Sequence, residues 1–181
     1  MRKTSKMKYL LLMALLGTAS LVACAKDAAS DALNKTLLTE MEAEPFWTVP
    51  VPEGVTAGDL SVTGGNYSVN YPAPNVATRT WTGDSEGLNV VRSEVESSMR
   101  KTGWTLFSVL CITKRSIREF SKDYATPRVV PASATNGIDF SNEANSARFT
   151  VYVSAPSVRA TGPTMPPLPP PTSIADHDCA P

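Results

Sequence analysis

One segment constrains this chain more than any other. Between Ser85 and Thr102, Leu88, Val91, Val95 and Met99 recur at i, i+3, i+7 and i+11. That spacing gathers four apolar side chains on one stripe of a helix and leaves the remaining surface polar. The ends carry matching signals. Asp84 or Ser85 can cap the start, Asp84 and Glu86 sit near the positive end of the dipole, Arg100 and Lys101 near the negative end, and Gly103 suits the residue after the cap. A helix with one apolar stripe must bury it, and the flanking segments offer a sheet.

The remaining apolar residues mostly alternate with period two. Val76 to Trp81 and Phe149 to Ser154 read as strands, with Phe149, Val151 and Val153 on one face and Thr150, Tyr152 and Ser154 on the other. Trp104 to Thr113 is apolar on both faces, with Trp104, Leu106, Leu110 and Ile112 opposite Phe107, Val109 and Cys111, so a central strand is expected. Leu60 to Thr63, Gly64-Gly65 and the alternating Tyr67, Val69 and Tyr71 read as a hairpin. Trp47 to Val51 reads as an edge strand, because Pro50 and Pro52 cannot donate to a ladder. Ile117 to Ser121 pairs back on the central strand, and Asp123 to Ser146, with Pro127, Pro131 and Asn136-Gly137, reads as loop. The expected fold class is α+β: one main amphipathic helix packed on a small, mainly antiparallel sheet, over residues 46–160.

The first 24 residues point to a location. Arg2, Lys3, Lys6 and Lys8 precede the apolar run Leu10 to Leu16, and Gly17 to Ala23 is small and apolar, the layout of a secretory signal over residues 1–23. The apolar stretch is about 15 residues, short of the roughly 20 that cross a bilayer as a helix. It ends in Leu21-Val22-Ala23-Cys24, which resembles the lipobox of bacterial lipoproteins. The resemblance implies diacylglycerol on the Cys24 thiol, cleavage just before Cys24, and a membrane partner held through acyl chains. One chain holds marginally and two or three hold stably. With the signal gone, 13 Lys+Arg remain against 17 Asp+Glu, a formal charge of −4. Ala25 in place of Asp after the cysteine disfavours, by the family's rule, retention at the inner membrane of a diderm cell.

Residues 24–45 are then anchor and tether or short helix. Leu33, Leu37, Leu38 and Met41 make a narrow helical stripe that Pro45 ends, and a half-ordered tether is the preferred reading. The tail, residues 161–181, holds six prolines between Pro163 and Pro171 and reads as a solvated polyproline segment. Trp47 to Val55, the capped helix and Thr102-Gly103-Trp104-Thr105 together resemble a plan found in small uncharacterised bacterial lipoproteins. That likeness spans residues 47–113 and implies the fold and the extracytoplasmic setting, with no activity attached.

Chemistry is sparse. With 17 Lys+Arg balanced by 17 Asp+Glu and no basic stripe, nucleic acid is not an expected partner. The one histidine, His177, lies in the tail as Asp176-His177-Asp178-Cys179, too close-set to wrap a tetrahedral ion, so no metal, cofactor or catalytic residue is assigned. Glu86, Glu94, Glu96, Glu119 and Asp123 read as solvated charges, and Trp47, Trp81 and Trp104 as core anchors ahead of a sugar platform. Two readings of the remaining cysteines stay open. Cys111 and Cys179 can pair in an oxidising envelope, or Cys111 can be a buried free thiol with Cys179 exposed, which the central-strand assignment favours. The expected function is a non-catalytic binding module of the cell envelope with a protein partner; the alternative is a carboxylate-dependent cell-wall hydrolase.

Overall fold

The computed structural model describes residues 28–65, 73–112, 115–125, 128–139 and 147–160. Among them, helix α1 spans residues 28–42 and a 3-10 turn spans Pro45–Thr48. Strands β1 (Thr56–Ala57), β2 (Ser61–Thr63) and β3 (Asn75–Gly83) follow, then helix α2 (Ser85–Lys101) and strands β4 (Thr105–Ile112), β5 (Arg115–Tyr124), β6 (Val130–Asp139) and β7 (Ala147–Ala155). The strands form one antiparallel sheet in the order β1-β3-β7-β6-β5-β4, with β2 beside β1 on the same edge of β3. The fold is α+β, as expected, but strand-dominated. Two helices cover a seven-stranded sheet, where one helix on a small sheet was anticipated.

Helix α2 is built as its sequence indicates. The Asp84 carboxylate accepts from the Gly87 amide at 2.7 Å. At the other end the Trp104 amide donates to the Met99 carbonyl and the Gly103 amide to Arg100, the paired bonds of a Schellman stop. Gly103 has φ 90°, a left-handed backbone that an L side chain resists. Leu88, Val91, Val95 and Met99 are all buried against the sheet.

Helix α1 is no tether. Leu37 and Met41 are completely buried, and Asn34 fastens the helix to the sheet. The Asn34 amide group donates to the Val158 carbonyl at 2.8 Å, while its oxygen accepts from the Val158 amide at 2.9 Å and from Asn75 Nδ2 at 3.0 Å. Residues 47–51 do not form an edge strand either. Pro45 starts a 3-10 turn that drives Phe46 and Trp47 inward, and Trp47 Nε1 donates to the Met41 carbonyl at 2.7 Å.

Three strand assignments change. Strand β4 is at the edge, not the centre, and its register shifts between Leu106 and Ser108. This bulge reverses the alternation. Leu106, Val109 and Cys111 lie opposite Phe120, Arg118 and Ser116 on the helix-covered face, whereas Leu110 turns outward and is 50% exposed. Strand β6 occupies most of what reads as a loop. Val130, Ala132, Ala134, Asn136 and Ile138 alternate inward, and Asn136-Gly137 pairs on both sides instead of turning. Strand β2 pairs with Val76–Thr78 of β3, and residues 67–71 of the expected hairpin lie outside the described residues.

All the buried strand residues share one face. Trp81 and Phe149 pack there with ring centroids 5.5 Å apart, beneath α2. Each such fully buried large side chain contributes about 1.5–3 kcal/mol. The opposite face presents Thr78, Thr80, Thr82, Thr150, Tyr152 and Ser154, and Thr80 and Thr150 share a hydroxyl contact of 3.1 Å.

Candidate functional site

Strand β5 breaks the rule that an inward face is apolar. Ser116, Arg118, Phe120, Lys122 and Tyr124 share its core side, and the two cations are matched by carboxylates, Glu96 from α2 and Glu44 from the short segment after α1. This arrangement divides the polar interior into an open site and a sealed one.

The open site lies where α1 ends. Pro45 closes the helix and leaves Glu44 in extended backbone, its carboxylate turned beneath the sheet edge. There Lys122 Nζ meets Glu44 Oε1 at 2.6 Å, the Glu44 side chain 4% and the Lys122 side chain 20% exposed. The ammonium also stands 5.0 Å from the Tyr124 ring centroid and 5.9 Å from that of Trp104. Trp104 meets Tyr124 and Phe46 edge-on, each at 6.1 Å, so the cation rests on an aromatic floor.

Above it opens a cleft of about 440 Å³, walled by Glu40, Ala43, Pro45, Thr102, Asp123 and Ala125 in addition to the pair and Tyr124. Three carboxylates face one ammonium, leaving an excess of negative charge over apolar walls. Tyr124 is buried and its hydroxyl makes no close hydrogen bond among the described residues. Burial foremost, and then the Glu44 charge, push its phenol far above the ordinary range and keep it protonated. The cleft is therefore suited to holding a cationic group with an apolar stem. Ion pairing with the rim carboxylates Glu40 and Asp123 would favour it, with Ala43, Pro45 and Ala125 beside the stem.

The sealed site is made by Glu96 of α2, Arg118 of β5 and Asn136 of β6. Arg118 Nη1 donates to Glu96 Oε2 at 2.7 Å and Asn136 Nδ2 donates to Glu96 Oε1 at 3.2 Å. All three residues are buried, so the cluster binds the helix to the sheet and presents nothing to a ligand.

The residues singled out in the sequence are scattered. Cys24, His177 and Cys179 lie outside the described residues. Cys111 is not a buried free thiol: it is exposed near the end of the edge strand and is disulfide-bonded to a cysteine outside the described residues. Glu96 is not a solvated charge, because Arg118 draws it inside; Glu86 and Glu94 are exposed and Asp123 stands on the cleft rim. Trp47, Trp81 and Trp104 are all core residues, which removes the sugar platform. Among the described residues no group of three or more His, Cys, Asp or Glu could hold a metal ion, and no helix is long and apolar enough to cross a membrane. Sequence reading missed Glu44, Lys122 and Tyr124. The available signal was parity, since Lys122 falls on the same side as Phe120 and Tyr124. No family model matches the chain, and no curated protein or solved structure is significantly similar to it.

Proposed function

We propose that the chain is a lipoprotein anchored through acylated Cys24 on the extracytoplasmic side of a bacterial membrane, and that its α+β domain is a non-catalytic binding module of the cell envelope. The anchoring half rests on the cationic segment, the apolar run and Leu21-Val22-Ala23-Cys24. The binding half rests on one observation: the Glu44–Lys122 pair on its aromatic floor lies at the base of an open cleft with an excess of carboxylates. That chemistry fits a lysine or arginine side chain of a partner protein.

Two experiments test the two halves separately. Metabolic labelling with a palmitate analogue marks the wild type and leaves Cys24→Ala unlabelled; label persisting on the variant overturns the anchor. Crosslinking in intact cells, compared between wild type and a Glu40→Lys/Asp123→Lys variant of equal stability, tests the cleft. A partner captured by the wild type and lost by the variant supports it, and equal capture overturns it.

A further inference from the structure

Lys122 sits in the cleft as a bound ligand would. Its ammonium meets Glu44 Oε1 at 2.6 Å and lies over the Tyr124 and Trp104 rings, with centroids 5.0 and 5.9 Å away. The two rings stand at 83° to one another and so form a corner around the charge. A carboxylate and two aromatic faces are a setting that holds an ammonium well. Here the ammonium comes from the chain itself, on a side chain still partly open to the cleft.

This internal pairing does not exhaust the site. Among the described residues, the cleft sets the carboxylates of Glu40, Glu44 and Asp123 against the ammonium of Lys122 alone. Two helices also end on it. Ala43 follows the last turn of α1 and Thr102 is the C-cap of α2, so the negative ends of both dipoles lie at the opening. The Tyr124 hydroxyl supplies an independent sign of a missing ligand. Tyr124 lines the cleft and is only 4% exposed, yet its hydroxyl has no hydrogen-bond partner among the described residues. Buried hydroxyls are rarely left so. An ammonium is a donor and nothing else, and this oxygen can accept from it. Lys122, over the face of the ring, makes no bond to the hydroxyl.

A second ammonium can therefore enter without stranding a charge. When it takes the place beside Glu44, Lys122 swings out on its flexible stem to Glu40 or Asp123, and every cation still has a carboxylate. The place suits a compact charge. A guanidinium is a wide planar fork and pairs at the rim instead.

We propose that Lys122 is the built-in occupant of a primary-ammonium site, and that the cleft takes a partner's lysine side chain by exchange. The incoming ammonium replaces Lys122 beside Glu44, and Lys122 moves to the rim. This inference rests on the binding function proposed above and narrows it from any basic side chain to lysine. Lys122 keeps the buried Glu44 carboxylate paired while no partner is bound, and by competing it sets the partner's affinity. A place vacant a tenth of the time weakens apparent affinity about tenfold.

The test uses the full chain, with Nα-acetyl-lysine methylamide as the probe at constant ionic strength. The ε-methylene protons of Lys122 lie beside two rings, so their NMR signal is displaced upfield, and Lys122→Arg identifies it by removing it. The lysine probe is expected to return the signal to the position of an exposed lysine, whereas the arginine analogue leaves it in place. A signal that stays upfield while Glu40 and Asp123 respond to the lysine probe overturns the exchange and leaves binding at the rim standing. No response anywhere in the cleft overturns both. Displacement by the arginine analogue overturns the restriction to lysine. Lys122→Ala gives a second measurement with n-propylammonium, which replaces the atoms the truncation removes. It is expected to bind this variant about tenfold or more tighter than the wild type, and to raise the variant's melting temperature where propanol does not. Equal affinity for the two proteins overturns the role given to Lys122.

Discussion

Arg118 and Glu96 meet at 2.7 Å between α2 and β5, with side chains only 5% and 8% exposed. Neither charge has water to fall back on. Removing one partner leaves the other buried without this counter-charge, which costs far more than the net worth of the pair.

Glu96→Gln is therefore expected to lower the unfolding free energy by about 3–5 kcal/mol, measured by urea titration. Glu96→Met combined with Arg118→Met should recover most of that loss. A residue of about 1–3 kcal/mol should remain because Asn136 Nδ2 loses its acceptor.

Tyr124 makes stability fall in alkali. Its phenol is held far above the ordinary value of about 10 in the folded chain, so the neutral form is favoured on folding. The contribution is fully present below pH 10, where both states bind the proton. Above pH 10 the unfolded chain releases it first, and stability drops by about 1.4 kcal/mol per pH unit until the folded phenol titrates. Tyr124→Phe should flatten this slope and cost little at pH 7, since the hydroxyl makes no close hydrogen bond among the described residues. Chemical denaturation at pH 8, 10 and 11 checks both statements.

Gly103→Ala should destabilise by about 1–2 kcal/mol through backbone strain alone, because a Cβ there meets nothing within 4 Å. Gly103→Asn should recover part of the loss, asparagine tolerating left-handed backbone better. Thermal unfolding of the three proteins ranks them Gly, Asn, Ala.

Asn34→Leu removes the polar link between α1, Asn75 and Val158. It leaves Asn75 Nδ2 only the long 3.5 Å contact to the Pro156 carbonyl and takes the partner of the Val158 amide and carbonyl, so a loss of about 2–4 kcal/mol is expected, roughly the cost of one or two unsatisfied buried groups. Hydrogen exchange should rise first in residues 28–42 and 156–160, ahead of the central strands.

What could be read from the sequence was local. Asp84, Gly103 and the Leu88–Met99 stripe act within a few residues of one another, so the helix is visible without its surroundings. Strand β6 was hidden because its inward residues are small and Asn136-Gly137 carries a turn's chemistry, overridden by pairing on both sides. The bulge after Leu106 inverted the faces of β4, an effect of register that no composition announces. The cleft was least legible of all. Glu44 and Lys122 are 78 residues apart, and each looks like a surface charge until the other is placed beside it.

Under the anchoring proposed at Cys24, the docking of α1 also governs how near the membrane the domain rides. Helix α1 is already fastened to the sheet through Ser30 and Asn34, so only three residues, 25–27, intervene between an acylated Cys24 and its first turn. Such a leash allows a standoff of about 14 Å, nearly two Debye lengths in physiological salt. Arg115, Asp139 and Arg148 lie at the opposite end of the strands from Asn75 and Asn34 of α1, and so, under that anchoring, away from the point of attachment.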